Sequence, residues 1–360
     1  MNGRQRIAAA LNGNWPDRTP VMLHNFMMAA REAGVTMRQF REDPRLMARC
    51  FGEAAERYRL DGIFVDVDTV TLAGAVGVPV DFPEDNPARS HGSCLPALEG
   101  VRDLDPVDLS RDPRIQILTE AVAILVREYG QELFIRGNCD QSPFSLAGAM
   151  RGLDQWLMDV AGQQDDELVH ALLEYCTGIT CQFVKLMAET GAHMISNGDS
   201  PAGPDMLSPR FYSAYALPYE RRVAACSHRE GRPYLLHICG KTDRILKQML
   251  DIGADALEID FKTNTQLAHD LFKDKVTFFG NIDPSEVLAR GTPELVKLKT
   301  EELLNVFADS PRFVLNSGCA IPADTPPENI RAMLACVRTS SLGVERPQGL
   351  PYVNDAGLRG

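Results

Sequence analysis

The chain has 360 residues, 44% of them hydrophobic and 24% charged, enough to bury a large α/β core. A formal net charge of -12, spread along the chain, argues against nucleic acid, whose phosphates need a basic footprint, and gives no reason to expect an anionic membrane surface. No stretch reaches the roughly 20 apolar residues of a membrane span, Arg4, Arg6 and Arg18 stand where a signal peptide would be apolar, and nine scattered cysteines are poor grounds for a disulfide framework, so a cytoplasmic protein with most thiols reduced is expected.

Short apolar runs rich in β-branched and aromatic residues alternate with longer amphipathic stretches, the pattern of a parallel sheet with helices outside. Strands are predicted at 19–26, 62–70, 133–141, 192–200, 233–240, 256–261, 276–283 and 313–321. Helices are predicted between them at "DPRLMARCFGEAAERYRL", "DELVHALLEYCTGITCQFVKLMAETG", "SPRFYSAYALPYERRVAACSHREG" and "KTDRILKQMLDIGA". Several open with Asp or Ser and close at Gly. The Pro- and Gly-rich stretch 71–110 breaks the alternation and reads as an excursion from the second strand–helix loop, with room for a small hairpin. Eight strands predict a single (β/α)8 TIM barrel over residues 1–345 with this insertion after the second strand, followed by a C-terminal extension at 346–360.

Each predicted strand ends in polar residues: His24 and Asn25; Asp66 and Asp68; Asn138, Asp140 and Gln141; Asn197 and Asp199; His237 and Cys239; Glu258 and Asp260; Asn281 and Asp283; Asn316, Ser317 and Cys319. In a TIM barrel these ends converge on the mouth where the chemistry sits. For any one alone, capping of the following backbone is the alternative.

In "LLHICGKTD" the period of two along a strand puts His237 and Cys239 on one face, with Ile238 turned to the helical layer. H-x-C alone is equally a core histidine beside an inert thiol. A third donor stands in "LNSGCAIPADTP", where Cys319 follows the last strand and barrel closure brings it to the same opening. One imidazole and two thiolates form a soft donor set suited to tetrahedral zinc, with a position left for substrate. Zinc holds a substrate thiol as thiolate, the nucleophilic form. Glu258 or Asp260 is a candidate for a further ligand, with structural capping as the alternative.

The segments "LLHICGKTDRILKQMLDIGADALEID", "FFGNIDPSEVLARGTPELV" and "FVLNSGCAIPADTPPENIRAML" carry a resemblance to the uroporphyrinogen decarboxylase superfamily, and within it to the methylcobamide:coenzyme M methyltransferase branch. It runs from about residue 3 to 340, with weaker support in "SPFSLAGAMRG" and "DSPAGPDMLSPRFYSAYALPYERRV". The resemblance implies a (β/α)8 barrel, Zn2+ on His237, Cys239 and Cys319, and transfer of a methyl group between a methylcorrinoid, presented by a corrinoid protein, and a thiol or related acceptor. No D-x-H-x-x-G cobalamin signature is present, in keeping with a corrinoid carried by a partner. Asp199 and Glu258 are the candidate catalytic side chains. Asn138, Asp140, Gln141 and Asn281 are the candidates for cofactor contacts, with capping and loop bracing as alternatives.

Two departures separate the chain from the decarboxylases of the superfamily. Their R-Q-A-G-R-Y segment has no counterpart in "PVMLHNFMMAAREAGV", and Cys319 stands where they usually carry histidine. A polycarboxylate substrate needs paired cations. A decarboxylase of this type and a non-catalytic corrinoid- or tetrapyrrole-binding protein are the alternative readings. The acceptor (coenzyme M, another thiol or tetrahydrofolate), the primary methyl donor and the oligomeric state, a homodimer included, stay open.

Overall fold

Eight parallel strands follow one another around a barrel in the computed structural model, which describes residues 1–163 and 165–339. They are β1 (Met22–Leu23), β2 (Gly62–Val65), β3 (Phe134–Gln141), β4 (Met194–Gly198), β5 (Tyr234–Ile238), β6 (Ala256–Ile259), β7 (Thr277–Ile282) and β8 (Phe313–Ser317). Each pairs with the next in parallel register. A bridge between Val21 and Leu315 joins first to last, with Leu315 N donating to Pro20 O at 2.9 Å. The fold class is therefore the predicted TIM barrel. The predicted extension at 346–360 lies outside the described residues.

Each strand falls inside its predicted run and is shorter, most of all β1. Pro20 has no N–H to give to the ladder, and the backbone N–H of His24 leaves it for the side chain of Asn316. The helices start where the sequence supplies caps: Asp43 accepts from Arg45 N and Leu46 N ahead of Pro44–Tyr58, and Asp112 does the same for Arg114 N and Ile115 N ahead of Pro113–Tyr129. The stretch after β2 holds a short helix, Thr71–Ala75, and a small hairpin pairing Val80–Asp81 with Arg89–Ser90. The helix predicted from "KTDRILKQMLDIGA" is reduced to Leu246–Met249 between two 3-10 turns, stopped at Gly253 in the left-handed region (φ 78).

The first of the helices that were not predicted closes the barrel from below. Gly3–Leu11, capped by Asn2, lies across the amino-terminal ends of the strands, where Ala10 O accepts from Thr277 Oγ1 at 3.1 Å. Its Ile7 and Ala10 pack on a ring of inward apolar residues, Met22, Phe64, Phe134, Met194, Leu235, Ala256, Phe279 and Val314, and close the barrel floor. Gly3 permits this approach: a Cβ there would sit 2.4 Å from Asp61 O. Arg6 and Arg18 both pair with the buried Asp61, the latter at 2.7 Å. The early arginines are thus structural.

The helices Asp166–Glu189 and Leu217–Arg229 pack side by side and are joined by a Cys181–Cys226 disulfide, with Cα atoms 5.9 Å apart. The other seven cysteines are free, in keeping with the expectation that most thiols are reduced; this one pair was not foreseen, because a count of cysteines carries no information about which helices are neighbours. Among the described residues no helix is long and apolar enough to cross a membrane.

Candidate metal centre

Above the apolar floor the inward side chains turn polar. Because side chains alternate along a strand, the residues two steps beyond Met22, Phe64, Phe134, Met194, Ala256 and Val314 face the same interior. They are His24, Asp66, Arg136, Ser196, Glu258 and Asn316, with Asn138 two steps further on β3. Their hydrogen bonds close a ring. His24 Nε2 lies 2.7 Å from Asp66 Oδ2, Asn138 Nδ2 donates to Asp66 Oδ1 (2.9 Å), and Ser196 Oγ donates to Asn138 Oδ1 (3.1 Å). Arg136 Nε donates to Ser196 Oγ (2.8 Å) and its guanidinium pairs with Glu258. Asn316 Nδ2 donates to Glu258 Oε2 (3.1 Å), and Asn316 Oδ1 accepts from His24 N (3.0 Å).

Arg136 and Glu258 are each 1% exposed, and the guanidinium lies 3.6 Å over the Phe64 ring. Burial alone would raise the Glu258 carboxyl, but Arg136 and then His237 hold it well below the usual range.

His237 stands on this ring. Its Nδ1 is 3.2 Å from Glu258 Oε1, close enough for strong attraction but without hydrogen-bond alignment. Its Nε2 is 2.9 Å from Cys239 Sγ, and Cys239 Sγ is 3.6 Å from Cys319 Sγ. The three ligand atoms all lie within 4.8 Å of one another, the one such His, Cys or acidic group among the described residues.

Local sequence explains the convergence. Cys239 lies one residue past β5 and keeps the strand's alternation, with Ile238 buried in the outer core. Gly240 N donates to Asp260 Oδ2 at 2.9 Å and pins the turn. Cys319 follows Gly318, where a Cβ would sit 2.6 Å from Phe261 N, so glycine lets the last loop lie against the end of β6.

The two sulfurs shift each other's thiols in opposite directions. The Cys239 thiol is shifted down, chiefly by the hydrogen bond from Cys319, and the Cys319 thiol is pushed up to about 12, chiefly by Cys239. Burial would lower His237, yet Cys319 and Glu258 override it and raise the imidazole to about 10.

The other sequence-predicted residues are placed as follows. Glu258 is beneath His237, with both oxygens engaged by Arg136, Asn316 and His237. Asp199 is fully buried: Oδ1 accepts from Ser145 N (2.9 Å) and Ser145 Oγ (2.5 Å), and its neighbour Glu220 is also fully buried. Burial raises both carboxyls, Asp199 to about 6. Asn138 belongs to the ring. Asp140, at φ 58, accepts from Leu72 N (2.8 Å), and Gln141 Nε2 donates to Thr69 O (3.3 Å), so both tie β3 to the insertion. Asn281 is buried and donates to Asp260 O (3.2 Å). Arg136 was missed as a site residue, because a charge within an apolar run carries no sign of its partner 122 residues away.

Residues 2–340 match the family model described as uroporphyrinogen decarboxylase (URO-D). The chain belongs to this family. Within it, this chain is 32% identical over 225 residues to the methylcobamide:CoM methyltransferase MtbA of Methanosarcina acetivorans, a match covering 62% of this chain and 64% of that protein. The methylcobamide:CoM methyltransferase MtaA of Methanosarcina barkeri is 25% identical over 338 residues, 92% of this chain and 96% of that protein. Among solved structures, a methyltransferase from Methanosarcina mazei superposes with a TM-score of 0.85 at 24% identity, covering 94% of this chain and 99% of that one, which establishes the shared fold.

Proposed function

We propose that this URO-D family member is a zinc-dependent, corrinoid-linked methyltransferase in which His237, Cys239 and Cys319 hold the metal and the methyl acceptor is a thiol. The observation that carries the reading is the meeting of one imidazole and two thiols from β5 and the loop after β8. The relatives named for methyl transfer between methylcobamide and CoM support it. Tetrahedral zinc with Zn–S bonds of about 2.3 Å separates two sulfurs by roughly 3.7 Å; Cys239 and Cys319 stand 3.6 Å apart.

Held by His237, Cys239 and Cys319, zinc would supply Lewis-acid stabilisation of an incoming thiol in its nucleophilic thiolate form. The chain's own residues set the conditions. Glu258 occupies the Nδ1 side of His237, which leaves Nε2 directed at the sulfurs. Arg136 and Asn316 keep Glu258 anionic and in place. The apolar floor keeps water out from below. The methyl group arrives from a methylated corrinoid at the mouth, carried by a partner protein. The guanidinium of the ring, Arg136, is already paired with Glu258 and so is not available to the polycarboxylate substrate of the decarboxylase alternative.

The test is metal analysis together with methylcobalamin demethylation. Expected are about one zinc per chain and loss of the cobalt-bound methyl group only when zinc and a thiol are both present, with Cys239→Ser abolishing both. Zinc near zero in the wild type, or carbon dioxide release from uroporphyrinogen, defeats the reading.

A further inference from the structure

His24 is the member of the polar ring with an uncommitted nitrogen. Asp66 accepts from Val67 N and Asn138 Nδ2 on one oxygen and meets His24 Nε2 with the other. As a carboxylate, Asp66 can only accept, so the His24 proton is placed on Nε2 and Nδ1 is left as a bare lone pair. Among the described residues Nδ1 has no hydrogen-bond partner, although it is closed to bulk solvent. A buried acceptor without a donor calls for one.

The position of His24 gives that donor an address. Its side chain is 11% exposed and ends β1 at the mouth. Its carbonyl accepts from Ile321 N (2.8 Å), two residues after Cys319, and its N–H shares Asn316 Oδ1 with Ser317 N. The ring packs at a tilt against Phe26 and Phe64, with centroids 5.6 and 4.5 Å away. The charged groups around it are Asp66 on β2, Glu258 on β6 and Arg136 beyond Phe64.

The neighbouring carboxylates are occupied. Glu258 is held by Arg136, Asn316 and His237; Asp260 accepts from Gly240 N and Lys262 N; Asp199 accepts from Ser145 on one oxygen and turns outward, toward Glu220 and away from the mouth. Asp140 keeps one free oxygen but is tied to the insertion at Leu72.

We propose that His24 Nδ1 accepts the proton that the acceptor thiol gives up on entering the metal centre, an inference that rests on the thiol-acceptor reading above. The S–H bond breaks, its electron pair stays on sulfur, an N–H bond forms on Nδ1, and Asp66 balances the imidazolium charge.

The test uses full-length, zinc-loaded protein with 15N-labelled histidine and 13C-labelled 2-mercaptoethanol, the His24 signal being assigned from His24→Gln, which keeps a donor toward Asp66. Expected is a lone-pair Nδ1 resonance that moves to the protonated range as the 13C signal reports thiol binding. In turnover with methylcobalamin, His24→Gln is expected to lose about 100-fold with this alkyl thiol and less than about 3-fold with an aryl thiol that arrives already ionised, a difference that a purely structural role would not produce. Bound thiol with Nδ1 unchanged, Nδ1 protonated beforehand, or equal losses with both thiols overturns the assignment. Absence of thiol binding to the zinc-loaded wild type defeats the functional reading itself, and His24's role with it.

Discussion

Glu258 Oε1 lies 3.2 Å from His237 Nδ1, while Glu258 Oε2 is held by Arg136 and Asn316. The imidazole is therefore aimed from below by a carboxylate that is itself fixed, and the sulfurs see only Nε2. Replacing Glu258 by Gln removes the charge and keeps the shape. Zinc affinity measured by chelator competition is expected to fall about 10–100-fold; an unchanged affinity would show that His237 needs no support from beneath.

Arg136 and Glu258 form a buried pair, so removing one leaves the other uncompensated. Arg136→Met is expected to cost about 3–5 kcal/mol in urea unfolding. The double variant Arg136→Met/Glu258→Gln should cost clearly less than the two singles added together. Additive losses would mean that the pair is not coupled.

The Cys239 and Cys319 sulfurs are 3.6 Å apart and unbridged. A mild disulfide-forming oxidant should link them in metal-free protein and abolish zinc uptake, whereas zinc-loaded protein should keep both thiols. Peptide mapping by mass spectrometry reads the bond directly, and equal oxidation with and without zinc would place the metal elsewhere.

At the opposite end of the barrel, His193 Nδ1 accepts from Ile135 N at 2.9 Å. Burial, with Arg4 and Arg232 adding to it, lowers this imidazole to about 4 from 6.5. The unfolded chain binds the proton more readily, so the contribution is complete above pH 6.5 and is lost as pH falls through about 4. After discounting for the partly exposed ring, it amounts to about 2 kcal/mol. His193→Gln should flatten the stability difference between pH 4 and 7.5 by that amount in denaturant titrations. Parallel curves for variant and wild type would reject the linkage.

The barrel and its three soft donors were legible in the sequence because both follow from periodicity. Eight apolar runs fix the strand count, and the period of two puts His237 beside Cys239. Parity also explains Asp199. On β4 Ser196 faces the interior, so Asn197 and Asp199 turn outward, the latter toward Ser145 and Glu220, and a polar strand end did not reveal that sense. Asp140 escaped parity because the β3–β4 register shifts between Asn138 and Gln141. The polar ring was hidden for another reason. Each of its bonds spans from tens to hundreds of residues, and Arg136 in an apolar run resembles an interruption until Glu258 is brought to it.

The Gly3–Leu11 helix stops the barrel at one end and leaves the mouth at the other. Whatever reacts above His237 must come and go by the same opening. On the proposed function, a small thiol would be seated before the corrinoid partner covers the mouth, and its methylated product would wait until the partner withdraws. The floor would thereby set an order of arrival and departure for that reaction.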